Sequence, residues 1–391
     1  MLTFEKFTGI NNVQPPHRIK PSELTQAANV DIGLSGELKR RGGYTEVLAT
    51  CHKNLHQADG FMLATVDGGD LTSFDASGAN RVLLYPSLGP SRVWYCNLPD
   101  GRTTFSNGLI CGITDGQTAT TWGVPIPASL GALTPVVGAL LPGDYRYQLS
   151  YVRLADGLES GTVSSPPVSV TTGGVLLTGL PVRDGYAINV YLSSHNDDRG
   201  YLAGSTMGAA FSYLGKNDAL TLPAMTDDLL PAPAGTITAF WRGRILVAVG
   251  SVLFASRTNG WELFDLRRDF KQFSSRITLI QPVDDGLYVG TDSELAFLSG
   301  TEFDKLVYSQ VMSGPVVLGS GVGVPGELVK LGDGVGQGSA MICIAAGGLI
   351  IGLSQGNITR IVEGRYTTAA TEVVATFRVL DGIPQYIATP Q

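Results

Sequence analysis

The placement of its glycines constrains this chain more than any other feature. Fifty of the 391 residues are glycine, with no collagen-like period and no low-complexity run, so they mark turns between short apolar stretches. Gly accepts positive φ at no steric cost, and an Asp-Gly, Asn-Gly or Gly-Gly step between two apolar runs predicts a hairpin. Many such turns require many short strands, and the fold class is read as all-β.

The turns come in a cadence. Asp59-Gly60-Phe61-Met62-Leu63-Ala64-Thr65-Val66-Asp67-Gly68-Gly69 runs into Leu71-Thr72-Ser73-Phe74, and the same form recurs at 102–116, 242–256, 283–291 and 341–353. Each copy has the form of two inner strands of a small sheet. Imperfect copies of a three- or four-stranded unit every ~40–50 residues predict a β-propeller, with a sandwich carrying long loops as the alternative.

Residues 129–224 break the cadence. Tyr145, Tyr147, Leu149 and Tyr151 alternate with Arg146, Gln148 and Ser150, which places the aromatics on one face of a strand. Val168 and Val170, then Ile188, Val190 and Leu192, continue the period, with turns at Asp156-Gly157, Gly173-Gly174 and Asp184-Gly185. About seven short strands in ~95 residues is the size of an immunoglobulin- or fibronectin-like sandwich. The expected organisation is an N-terminal arm with the first blades over 1–128, the inserted sandwich over 129–224, and the remaining blades over 225–391. Within the arm, Pro15-Pro16 and Pro21 precede Ser22-Glu23-Leu24-Thr25-Gln26-Ala27-Ala28, read as one helical turn behind a Ser cap, and Asn29-Val30-Asp31-Ile32, read as a strand.

Charged residues are only 16% of the chain and the net charge is −7. Sparse charge suggests a surface partly covered by neighbours, and the negative balance argues against broad capture of nucleic acid, which rests on Lys and Arg releasing counterions. Cys51, Cys96, Cys111 and Cys343 form no Cys-x-x-Cys pair, so free thiols are expected rather than a zinc ribbon or a disulfide framework. The start Met1-Leu2-Thr3-Phe4-Glu5-Lys6 lacks a signal-peptide pattern, and no run of about 18 apolar residues occurs. The expectation is a soluble protein made in the cytoplasm.

The stretch Phe240-Trp241-Arg242-Gly243-Arg244-Ile245-Leu246-Val247-Ala248-Val249-Gly250, followed by Asn259-Gly260-Trp261-Glu262-Leu263-Phe264-Asp265, resembles tail proteins of tailed bacteriophages. Ile277-Thr278-Leu279-Ile280 with Asp285-Gly286-Leu287-Tyr288-Val289-Gly290-Thr291 adds to it, as does Phe7-Thr8-Gly9-Ile10 with Leu38-Lys39-Arg40-Arg41-Gly42-Gly43-Tyr44. Within that group the chain is similar to the short-tail nozzle family of β-propellers, mostly over 1–50 and 235–391. The resemblance implies a virion component made in the bacterial host cytoplasm, forming a ring of six copies below the portal and adaptor. Such a ring continues the DNA-ejection channel, holds fibres or spikes, and meets viral DNA transiently without sequence specificity or membrane contact.

The sequence matches several catalytic and binding motifs only in part. Gly321-Val322-Gly323-Val324-Pro325-Gly326 satisfies G-x-G-x-x-G, but Glu327-Leu328-Val329-Lys330-Leu331 reads as a strand where a dinucleotide site needs a helix. Cys51, His52 and His56 have no fourth ligand nearby. The loop from Ser193 to Gly200 around His195 lacks the order of a calcium loop. Asp227-Asp228 and Asp284-Asp285 are neighbours in turns and point apart, unlike the paired acids of a glycosidase. Ser256-Arg257-Thr258-Asn259-Gly260-Trp261 departs from the sialidase Asp-box. No catalytic, cofactor-binding or metal residue is therefore assigned, and no cofactor is expected. The basic residues Lys39, Arg40, Arg41, Arg242, Arg244, Arg267 and Arg268 are the candidate assembly contacts, matched to an acidic neighbouring ring, with pairing inside the chain as the competing reading. The leading expectation is a nozzle, not an enzyme. The alternatives are a tail or baseplate element that displays the sandwich for fibre or receptor binding, and a carbohydrate-active propeller.

Overall fold

The structure, a computed structural model, describes residues 6–391 apart from 34, 44, 47, 67, 332, 333 and 381. Tyr44 and Asp67 of the motifs above, and the start Met1–Glu5, lie outside the described residues.

Five antiparallel blades, four of four strands and one of five, are each built on a meander of four strands that pair in chain order. Blade 1 is His52–Gln57, Met62–Val66, Asp70–Phe74 and Val82–Tyr85, and blade 2 is Trp94–Asn97, Thr103–Ser106, Cys111–Thr114 and Ala119–Thr121. Blade 3 is Thr236–Trp241, Arg244–Val249, Val252–Arg257 and Gly260–Phe264, with Phe270–Gln272 also pairing to the third strand. Blade 4 is Ile277–Val283, Gly286–Thr291, Glu294–Ser299 and Val307–Ser313. Blade 5 is Val322–Pro325, Ser339–Ala345, Gly348–Gly352 and Ile358–Ile361, and a two-stranded hairpin, Val373–Leu380 with Ile383–Pro390, follows it.

The apolar runs of the central strands follow from this stacking. Ile245, Leu246, Val247 and Ala248 are each fully buried. Because side chains alternate across a strand, Ile245 and Val247 join the core shared with blade 2 while Leu246 and Ala248 join the core shared with blade 4. The same split sends Met341, Cys343 and Ala345 toward blade 4, and Ala340 and Ile342 toward the terminal hairpin. A strand that faces a neighbour on both sides needs continuous rather than alternating hydrophobicity.

Five boundaries are therefore apolar. Blades 1 and 2 share Leu63, Leu71 and Phe105, and blades 2 and 3 share Ile113, Trp122 and Phe264. Blades 3 and 4 share Leu246, Leu287 and Leu298, blades 4 and 5 share Tyr288, Phe297 and Ile350, and blade 5 meets the hairpin through Ile342, Phe377 and Tyr386. Among the described residues no apolar cluster joins the hairpin to blade 1.

In the hairpin the Gln391 N–H donates to the Glu372 carbonyl. With the register fixed by Val373 opposite Pro390, residues 384, 386, 388 and 390 direct their backbone groups to the outer edge. Two of these are Pro384 and Pro390, which have no N–H.

The arm departs from expectation at Ser22–Ala28. Glu23–Leu24 is a short strand parallel to Gly9–Ile10, not a helical turn. The Ser22 carbonyl accepts from Thr8 N–H, and the buried Glu23 carboxylate accepts from Asn11 Nδ2 at 3.0 Å and Lys20 N–H at 3.1 Å. Those long-range bonds outweigh the weak helical preference of one turn. Val30–Ile32 is a strand as expected, paired with Leu38–Arg40. After Gly326, a 3-10 turn Gly326–Leu328 and a two-residue strand Lys330–Leu331 replace the expected longer strand.

Between blades 2 and 3, strands from Ala132–Val137 to Ala210–Tyr213 form three sheets around one core. Tyr145, Tyr147, Leu149 and Tyr151 are all buried in it, as their alternation predicted. The run is divided, however: Gly143–Tyr145 pairs with Val168–Val170, and Tyr147–Arg153 pairs with Tyr186–Ser193 in another sheet.

Candidate functional site

The boundary between the terminal hairpin and blade 1, which lacks an apolar core, is spanned by polar groups. His52–Gln57, the first strand of blade 1, is kinked at Asn54, whose φ is 54°, and its pairing with Met62–Val66 slips there. Asn54 accepts from Val93 N–H at 3.1 Å and donates to the Ser91 carbonyl at 3.1 Å, which fixes the Arg92 loop beside the strand. Arg92 lies over the Trp94 ring at 4.1 Å and donates to Glu372 Oε1 at 3.1 Å and to the Val373 carbonyl at 2.9 Å. It thus ties blade 2 to the start of the hairpin. Above this pair lies a cleft of about 600 Å³ lined by His52, Lys53, Leu55, Arg92, Glu372 and Val374.

A second joint fixes the intervening β unit to the blades. Glu262 of blade 3, 4% exposed, accepts from Arg102 of blade 2 at 2.8 Å and from Arg153 of the β unit at 3.0 Å. Arg153 also reaches Asp156 at 2.6 Å and Arg102 reaches Asp100 at 2.7 Å. The Arg153 guanidinium holds the Asp156 carboxyl below its ordinary range. The network borders a cleft of about 500 Å³ shared with Trp261 and Asn259. Five charged groups in a chain, each with a partner, make a strut rather than a waiting binding site.

The seven basic candidates do not gather into one patch. Arg41 pairs with Asp31 at 3.0 Å, Arg244 with Asp269 at 3.3 Å, and Arg267 with Asp228. Arg242 donates to the Asp284 carbonyl at 2.5 Å. Lys39, Arg40 and Arg268 are exposed and make no ion pair among the described residues. Pairing within the chain therefore accounts for Arg41, Arg244 and Arg267.

The carboxylate neighbours diverge. Asp284 accepts from the Ser339 N–H at 3.0 Å, and the Ser339 hydroxyl bond holds its carboxyl below the usual range. Asp285 accepts from Gln355 N–H at 2.7 Å, while Asp227 takes the Thr162 hydroxyl and Asp228 takes Arg267. His56 stacks on Tyr95 with centroids 4.7 Å apart and shares a hydrogen bond with Asn97 at 2.7 Å. Burial pushes its pKa down. His52 shares a hydrogen bond with the Thr50 carbonyl at 2.7 Å. Among the described residues no group of three or more His, Cys, Asp or Glu could hold a metal ion. All four cysteines are free, and burial raises the Cys343 thiol to about 12. Among the described residues no helix is long and apolar enough to cross a membrane.

Neither joint was found from sequence. Arg92, Glu372, Arg153 and Glu262 stand in no motif, and the only available signal was an Arg or Glu inside an otherwise apolar strand, as in Trp261-Glu262-Leu263.

No family model matches the chain, and no curated protein matches it. Solved structures similar to it include the C-terminal WD40 domain of Sif2, at 12% identity and a TM-score of 0.35 over 86% of this chain and 80% of that one. YCF48 from Cyanidioschyzon merolae is similar at 9% identity and a TM-score of 0.33, over 88% of this chain and 94% of that one. BamB from Moraxella catarrhalis is similar at 13% identity and a TM-score of 0.30, over 81% of this chain and 76% of that one. The blade organisation of the chain rests on its own strand order and shared cores.

Proposed function

We propose that the chain is a structural protein of a bacteriophage tail, a nozzle subunit whose copies form a ring that continues the DNA-ejection channel below the portal and adaptor. The supporting observation is that four of the segments carrying the resemblance, 240–250, 259–265, 277–280 and 285–291, fold as strands of the adjoining blades 3 and 4, and that 240–250, 277–280 and 285–291 contribute to one shared core. That part of the likeness belongs to one connected piece of the fold, while the remainder lies in the arm at 7–10 and 38–44. In this reading the β unit between blades 2 and 3 is an inserted immunoglobulin- or fibronectin-like sandwich. Lys39, Arg40 and Arg268, exposed and without ion pairs among the described residues, are the assembly contacts with the best standing. The role is architectural, with no catalysis, and the protein's place is the virion tail.

A second reading, display of the β unit for fibre or receptor binding, is favoured by Val137, Leu141 and Leu214, which are 83%, 57% and 52% exposed. Ala139 N–H donates to the Leu214 carbonyl, so the three lie together at one end of the unit. Immunogold labelling with cryo-electron microscopy of particles carrying this protein separates the two. Label on a ring around the tail axis supports the nozzle, and label on peripheral fibres supports display. Release of reducing sugar from host polysaccharide by the purified chain would overturn both.

A further inference from the structure

We propose that the ring of blades opens at the boundary between the terminal hairpin and blade 1, with the Arg92 clasp as the latch. Five boundaries are closed by apolar side chains packed from both sides. The sixth holds a cleft of about 600 Å³, and Leu55 on one wall and Val374 on the other stay 64% and 49% exposed. What spans it is polar: Arg92 to Glu372, and Arg92 to the Val373 carbonyl.

The parts on either side are each anchored elsewhere. Thr371 and Val373 bond the backbone of Leu318, and Phe377 and Tyr386 pack on blade 5, so the hairpin moves with blade 5. Arg92 is held by its stack on Trp94, and its loop by Asn54, so it moves with blades 1 and 2. A crossing strap comes from the arm, where Asn12 exchanges hydrogen bonds of 2.9 Å with Thr367, and it too is polar. Gly319 completes the seat: its φ is +77°, and a Cβ there would lie 2.3 Å from Arg92 Nη2. Apolar cores tolerate salt, whereas an ion pair with Arg92 and Glu372 side chains 22% and 38% exposed is screened by it. The inference does not depend on the tail reading.

Hydrogen exchange of the full chain, followed by mass spectrometry, tests it. Raising salt from about 0.05 to about 0.5 M should speed exchange about tenfold in segments 52–57 and 373–390 together, leaving 244–257 and 286–299 unchanged. Arg92→Ala should give the same pattern at low salt, with Arg92→Lys in between. In a Cys51→Ser chain, joining L55C to V374C with a flexible bis-maleimide should abolish the salt response. If Arg92→Ala does not fold, the salt series on the natural sequence decides. Equal acceleration in all blades, a rise confined to 373–390, or no change in either seam segment would each overturn the proposal.

Discussion

Trp122 donates its indole N–H to the carbonyl of Trp261 at 2.9 Å. The residue at which the chain leaves blade 2 is thereby bonded to blade 3, although the whole β unit lies between them in sequence. Ala232 N–H returns to the Trp122 carbonyl at 3.0 Å, so the chain enters and leaves the β unit at adjacent points.

Excision of the unit should therefore spare the ring. Replacing residues 129–224 with a short Gly-Ser linker is expected to leave a chain that unfolds cooperatively, with β-type circular dichroism and a lowered Tm, since only the Arg153 side of the strut and its local packing are lost. Loss of the cooperative transition would show that the blades need the unit to fold.

Glu262 is the member of the strut that cannot be neutralised cheaply. Its side chain is 5% exposed against Arg153 at 11%, and Glu262→Gln leaves a half-buried arginine pair short of one counter-charge. The expected loss in denaturant unfolding is about 3 kcal/mol. Asp292→Asn, which breaks the exposed pair with Arg276, should cost no more than about 0.5 kcal/mol.

Acid should act through His56. Its folded pKa lies below the unfolded value of about 6.5, so over the interval between the two the unfolded chain binds more protons. Stability from this group is thus complete above the unfolded pKa and is lost as pH falls through the folded one. His56→Gln, which removes the titration, should show a smaller fall in Tm between about pH 7 and pH 5 than the natural sequence. An identical fall would assign the acid sensitivity elsewhere.

Gly69 tests why so many turns demand glycine. Its φ is +125°, and an added Cβ would lie 2.4 Å from the backbone of Gly89. Gly69→Ala combines a disfavoured conformation with a backbone clash, and the loss should exceed about 2 kcal/mol. Gly364→Ala, at φ +70° with open space around it, should lose about 1 kcal/mol from conformation alone.

The sequence disclosed this fold wherever the information was local. At 59–74, 102–116, 242–256 and 341–353 the hairpins are the central pairs of four blades, while 283–291 belongs to the first two strands of blade 4. The Tyr145 to Tyr151 alternation gave the burial pattern but not the break at Arg146, where neighbouring residues join different sheets. The first strand of blade 1 was harder to read: His52–Gln57 carries a bulge, and its two histidines, set aside as metal ligands for want of a fourth group, turn out to be a stacked ring and a carbonyl partner. The seam could not be read at all, because Arg92 and Glu372 are 280 residues apart and neither lies in a local pattern. The partners of Arg244 and Arg267, Asp269 and Asp228, lie 25 or more residues away in sequence and are equally illegible locally.

Pro384 and Pro390 remove two N–H donors from the outer edge of the terminal hairpin. An exposed strand edge is a template on which other chains assemble, and fully armed edges are how β proteins come to grow without limit. Here the outward N–H groups are reduced to those of Tyr386 and Ala388, too few to copy. The hairpin stops at two strands, and its outer edge offers a third little to pair with.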